Sequence, residues 1–164
     1  CSIVTRNWTK ERSKIVSFFI RNEPTFELWG LNPGPFKKTK KYRGKISGTH
    51  SENPKIEILS KYKFSICFEN TRIPGYISEK IFSCFLAGTI PIYFGAPNIE
   101  EYIPRDCFID YLSFESDEAL LNFLKNMSDE EYNQYLENIS KFLLSDEAHL
   151  FSPDHFRSLI VDMQ

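Results

Sequence analysis

Apolar residues along this chain come in two rhythms. In WTKERSKIVSFFIRN, residues Ile15, Val16, Phe18, Phe19 and Ile20 recur at helical spacing and supply one buried side. In CSIVT, KFSICFEN and TIPIYFG they form short, near-continuous runs bounded by polar residues or Gly, the pattern of strands covered on both faces. Read in order, the chain predicts a strand at residues 1–5, a helix through residues 8–22 and a strand at FELWG. A polar loop rich in Gly, Pro and Lys follows over residues 31–54. Beyond it come a helix at KIEILSKY, the strand KFSICFEN, a helix over 78–86, the strand TIPIYFG, a turn of helix near 98–102, the strand CFIDY and a helical tail. In the tail, SDEE at residues 128–131 is a capping box, and SPDHF from Ser152 repeats the idea with Pro at the first helical position. Alternating strands and helices predict an α/β fold, a Rossmann-like doubly wound parallel sheet with helices on both faces. In such sheets ligands sit beyond the carboxyl ends of the strands.

Composition narrows this to one domain. At 164 residues, 41% hydrophobic and 26% charged, the chain is long enough for one real core and short for two. A formal net charge of -2 gives no global reason to expect nucleic acid as a partner, so any bound anion must be held by a local cluster. The longest apolar stretch, FLAGTIPIYFG, is broken by Gly and Pro and falls short of the roughly 20 residues that span a bilayer. The chain opens at Cys1 with no basic flank ahead of an apolar run, so no signal peptide is expected, and it reads as a piece of something longer. Cys1, Cys67, Cys84 and Cys107 are far apart, without metal-ligand spacing; they read as reduced thiols, with Cys67 and Cys84 packed inside.

The stretch CFENTRIPGYISEKIF, residues 67–82, joins the end of a buried strand to the start of a helix through more polar groups than a connection needs. Ser78 is a good N-cap, which leaves Glu79 and Lys80 in the first turn, where free N–H groups and the helix dipole attract an anion. Lys80 adds a full charge, so a phosphate or diphosphate fits the site. Glu79 suits a hydroxyl donor or a developing positive charge. Gly75 allows a close turn, Tyr76 offers a ring face and a hydroxyl, and Asn70 both donates and accepts. The plain alternative is that Ser-Glu-Lys is only a cap. Arg12, on the first turn after SIVT, faces either a phosphate at the same sheet edge or solvent. The basic run Lys37, Lys38, Lys40, Lys41, Arg43 and Lys45 reads first as a solvated loop and second as a ligand contact.

These residues carry a resemblance. YKFSICFENTRIPGYISEKIFSCFLAGTIPIYFGAPNIEEYIP resembles the signature region of the α-1,3/4-fucosyltransferases: a strand ending in Phe-Glu-Asn, a loop, Tyr-(Ile/Val)-(Ser/Thr)-Glu-Lys, then a Pro-(Ile/Val) strand ending in Gly-(Ala/Ser/Pro)-Pro. SIVTRNWTKERSKIVSFF is similar to the family's strand followed by an Arg-bearing helix, and LWGLNPGPFKKTKKYRGKI to its Gly- and Lys-rich loop. The TRIP segment departs from the versions expected there and leaves Arg72 without a role.

The resemblance implies that residues 1–164 are a single GDP-fucose-binding domain, the C-terminal half of a GT-B glycosyltransferase. The implied reaction is inverting transfer of L-fucose from GDP-β-L-fucose to a glycan hydroxyl, in α-1,3/4 linkage to a GlcNAc- or Glc-type acceptor, as in lipopolysaccharide or protein glycosylation. It places Arg12 and Lys80 on the diphosphate, Asn70 and Tyr76 on the donor by hydrogen bonds, and Glu79 against the ribose or the fucosyl ring, with charge stabilisation its one implied catalytic part. No metal or other cofactor is expected, the chain having no Asp-x-Asp motif. The acceptor and its general base are expected on an N-terminal domain outside these residues. Location follows the source: cytoplasmic or peripheral to the inner membrane in a bacterium, Golgi membrane in a eukaryote. Two alternatives stay open, a GT-B half using another nucleotide sugar and a non-catalytic nucleotide-binding module.

Overall fold

The structure is a computed structural model that describes residues 1–5, 7–46 and 53–152. Its centre is a six-stranded sheet, β1 (Ser2–Val4), β2 (Glu27–Trp29), β3 (Tyr42–Gly44), β4 (Phe64–Phe68), β5 (Ile90–Phe94) and β6 (Ile109–Asp110). The strand order is β3-β2-β1-β4-β5-β6 and every pair is parallel. The chain therefore winds outward from β1 in one direction and, from β4, in the other. That reversal is the structural basis of the doubly wound fold and leaves a crevice where the strand ends diverge. All five residues of β4 and four of the five in β5 are buried, which is why their sequences read as continuous apolar runs.

Helices cover both faces. On one, α1 (Lys10–Asn22) and α4 (Asp117–Asn126) bring Ile15, Val16, Phe19, Leu120 and Leu124 onto Ile3, Phe68 and Ile92. On the other, α2 (Pro54–Leu59), α3 (Glu79–Leu86) and α5 (Asp129–Leu143) bring Leu59, Ile81, Cys84, Phe85, Ile139 and Phe142 onto Cys67 and Tyr93. Each large apolar side chain among these contributes about 1.5–3 kcal/mol on burial. A last short helix, α6 (Asp146–His149), closes the described tail. The Ser128 capping box is formed with Glu131, whereas the helix start expected at SPDHF lies outside the described residues. Cys67, Cys84 and Cys107 are buried; burial and the acidic neighbour Asp106 push the Cys107 thiol up to about 12.

One strand, β3, falls in the segment expected to be loop. Its sequence is Tyr-Arg-Gly and none of its residues is fully buried, so no apolar run marks it; it pairs only with β2, at the sheet edge. Within the basic run, Arg43 pairs with Glu27 on β2, Nη2 to Oε1 at 2.6 Å. Lys41 donates to the carbonyls of Glu23 and Pro24. Those two cations hold the edge strand in place. No described helix is long and apolar enough to cross a membrane.

Candidate nucleotide site

A cleft of about 550 Å³ opens at the carboxyl ends of the strands, on the switch between β1 and β4. Its lining comes from the residues just past each strand end: Thr5 and Asn7 after β1, Gly30 and Leu31 after β2, Lys45 and Ile46 after β3, Asn70 after β4. Arg12 from α1 and Lys55 from α2 reach the same space, as do Tyr76, Ser78, Glu79 and Lys80 at the start of α3. All five residues expected to bind a donor thus meet in one cavity. A larger concavity of about 670 Å³ lies at the opposite, amino ends of the strands among Cys1, Glu27, Tyr62 and Phe64. It has neither a free helix N-terminus of useful length nor any of the five residues expected to bind a donor, and the ligand position of an open parallel sheet is at the other end.

Ser78 caps α3 in extended conformation, its side chain accepting from the Lys80 amide. Gly75, at φ +74°, makes the turn before it, and its N–H donates to Asn98 Oδ1 at 2.8 Å. The loop after β5 thereby fixes the loop after β4. Tyr76 and Asn70 remain exposed on the cleft wall. Arg72, which had no expected role, lies over the Phe94 ring with 5.2 Å between guanidinium carbon and ring centroid.

The residue that organises this corner is Glu69, whose side chain is 0% exposed. Its Oε1 accepts from the Ser78 backbone N–H and hydroxyl, each at 2.8 Å, and its Oε2 accepts from Lys80 Nζ at 2.8 Å. Lys80 Nζ also donates to Ser78 Oγ at 2.8 Å. Two of its three ammonium protons are so engaged, leaving one for a ligand. Gly95 makes room for this carboxylate: a Cβ there would stand 2.6 Å from Glu69 Cγ and 2.3 Å from Tyr93 Oη. The signal for Glu69 was present in the strand's period of two, which puts it on the same face as Cys67 and hence under α3. A carboxylate in that position requires a cation, and Lys80 stands in the first turn of the covering helix.

Arg12 is neither solvated nor wholly free for a phosphate. At 2% exposure its guanidinium donates to the carbonyls of Asn7 and Phe68 and, at 3.2 Å, to Asn70 Oδ1. It ties the end of β1 to the end of β4 across the crevice, with two of its five N–H groups left over. Burial pulls its pKa down, and the nearby Glu69 offsets part of that. Glu79 is exposed at 74% and meets Lys55 Nζ at 3.5 Å. Partial burial pushes its carboxyl up, but Lys55 and Lys80 outweigh this and hold it below the usual glutamate value. Lys55 had no sequence signal of its own, being a polar residue at the start of the predicted helix KIEILSKY.

The assembled corner gathers positive charge: a helix N-terminus, a lysine held by a buried carboxylate, an arginine across the crevice and a further lysine opposite. Among the described residues no cluster of His, Cys, Asp and Glu gathers as a metal centre would.

Known proteins share this arrangement of sequence and fold. A solved structure described as an alpha1,3-fucosyltransferase with GDP matches with a TM-score of 0.65 at 28% identity, over 82% of this chain and 37% of that one. The Alpha-(1,3)-fucosyltransferase FucT of Helicobacter pylori is 36% identical over 83 residues, 51% of this chain and 17% of its own length. The Alpha-(1,4)-fucosyltransferase of Arabidopsis thaliana is 37% identical over 79 residues, 47% of this chain and 20% of its own. The chain spans a fifth or less of the length of these two curated relatives. The model of glycosyltransferase family 10 (fucosyltransferase), C-terminal part, matches residues 36–152. With more than half its length inside that match, the chain belongs to the family 10 fucosyltransferases and carries their C-terminal, Rossmann-like part.

Proposed function

We propose that this domain binds GDP-fucose in the switch-point cleft and presents its fucosyl carbon for inverting transfer to a glycan hydroxyl. The observation that carries the reading is the convergence of Arg12, Asn70, Tyr76, Glu79 and Lys80 on one cavity at the N-terminus of α3. The diphosphate lies against the Glu79 amide and the Lys80 ammonium, the Lys80 amide being held by the Ser78 cap. Arg12 reaches it with its remaining N–H groups while holding Asn70 toward the donor. As GDP departs, negative charge grows on the β-phosphate; fixed cations and amide dipoles already aimed there lower the barrier without reorganising. Glu79 faces the ribose or the sugar ring, where a carboxylate accepts from hydroxyls.

Single-displacement transfer also needs a base opposite the leaving group. In this reading that carboxylate and the acceptor site belong to parts of the enzyme outside these residues, and the choice of acceptor and of a 3- or 4-linkage is made there.

Calorimetry with GDP, UDP and ADP tests the donor assignment. GDP is expected to bind at least about tenfold tighter than the other two. Equal affinities would favour a nucleotide site that does not read guanine, and tighter binding of UDP or ADP would favour a related transferase using another nucleotide sugar.

A further inference from the structure

We infer that Lys55 is a third phosphate-binding cation of this cleft, and that Glu79 holds its ammonium in place until a diphosphate displaces it. The inference rests on the nucleotide-site reading above and deepens it. Among the described residues, three cations border both the cleft and a small cavity along β4: Arg12, Lys55 and Lys80. Their ties differ in kind. Arg12 is bound to two backbone carbonyls and to Asn70, and Lys80 to a fully buried carboxylate. Neither can leave its partner without stranding buried polar groups.

Lys55 is differently held. Its side chain is only 28% exposed, so the aliphatic stem is packed and the ammonium is delivered to the cleft wall. Its contact is Glu79 Oε1 at 3.5 Å, longer than a charge-assisted hydrogen bond, and that carboxylate is 74% exposed. A pair of this kind adds little stability, and breaking it strands nothing because Glu79 is already in water. The pair is therefore exchangeable, whereas the other two are fixed.

The charges give the exchange a direction. With Glu79 on Lys55, the corner sets Arg12, Lys55 and Lys80 against two carboxylates, Glu69 and Glu79, while Lys45 stands on the wall after β3. A diphosphate entering beside Lys80 repels Glu79 and attracts Lys55. Turning Glu79 outward raises the local charge by one where the phosphates lie and leaves its carboxylate beside the ribose or sugar hydroxyls. One movement thus completes the phosphate site and frees the group that faces the sugar.

The test is a double-mutant cycle on Lys55 and Glu79, read by calorimetry with GDP, UDP, ADP and guanosine. Lys55→Met keeps the stem and loses the charge; it is expected to weaken the preferred nucleoside diphosphate about tenfold or more and to leave guanosine unchanged. Lys55→Arg is expected to restore most of the affinity. Glu79→Gln is expected to tighten diphosphate binding about two- to fivefold when Lys55 is present, and to give no gain in the Lys55→Met background. Wild-type affinity in Lys55→Met, or equal loss of guanosine and diphosphate, would overturn the role of Lys55. A Glu79→Gln effect of the same size in both backgrounds would overturn the exchange. Because all three diphosphates are used, a site that reads another base still reports on Lys55. A wild-type chain that binds none of them sinks this inference and the parent reading together.

Discussion

Lys80→Ala is expected to lower the unfolding free energy by about 3–5 kcal/mol and to weaken GDP roughly ten- to a hundredfold, two losses with separate causes. The stability loss arises at Glu69. Its carboxylate is fully buried and accepts from Lys80 at 2.8 Å; without the ammonium it keeps the Ser78 bonds but loses the cation in direct contact with it, leaving only the more distant Arg12. The affinity loss arises from the one ammonium proton not already given to Glu69 or Ser78. Converting the carboxylate to an amide separates them. Glu69→Gln combined with Lys80→Ala is expected to recover most of the stability and none of the GDP affinity, as read by urea titration and calorimetry. If the single variant is as stable as the wild type, Glu69 does not depend on Lys80 for its counter-charge and the account of this corner fails; if GDP binds it normally, the phosphates are elsewhere.

Arg12→Lys is expected to behave nearly as badly as Arg12→Ala, each losing about 2–5 kcal/mol of stability, because a guanidinium spans three acceptors at once. These are the carbonyls of Asn7 and Phe68 and the side chain of Asn70. A lysine is a point donor on a different reach and leaves at least one buried carbonyl without a partner, at about 1–3 kcal/mol for each group so stranded. Asn70 is released at the same time, so GDP affinity falls even though the charge is kept. Denaturant midpoints and GDP titrations of both variants check this. An Arg12→Lys protein with wild-type stability and affinity would show that charge alone matters at this position and that the bridge across the crevice does not.

The parts of the fold legible in the sequence are those driven by burial. β4, β5 and α1 announce themselves because apolar residues must occupy every strand position or one helix face. The switch-point cleft is implied by the strand and helix order, and Ser78 by cap chemistry. β3 was illegible because an edge strand of Tyr-Arg-Gly is held by backbone pairing and by Arg43 on Glu27 rather than by a buried run. Arg12 was visible as a cation near the phosphate region, but its burial depends on Phe68 and Asn70, 56 and 58 residues away, a distance no local pattern carries. The same holds for Lys55, which meets Glu79 only once α2 and α3 pack together. Glu69 is the intermediate case: its face was readable from strand alternation, while its pairing with Lys80 needed the geometry of the turn at Gly75.

The central claim, that a nucleoside diphosphate sits at the start of α3, is tested most directly by tracking backbone amide signals during titration with GDP and with guanosine. The account predicts that GDP shifts the amides of Ser78, Glu79 and Lys80 most, together with Thr5 and Asn70. Guanosine is predicted to move the cleft residues after β2 and β3 while leaving Glu79 and Lys80 largely unmoved. Shifts gathered instead around Glu27, Tyr62 and Lys63, at the amino ends of the strands, would place the nucleotide in the other concavity and contradict the account.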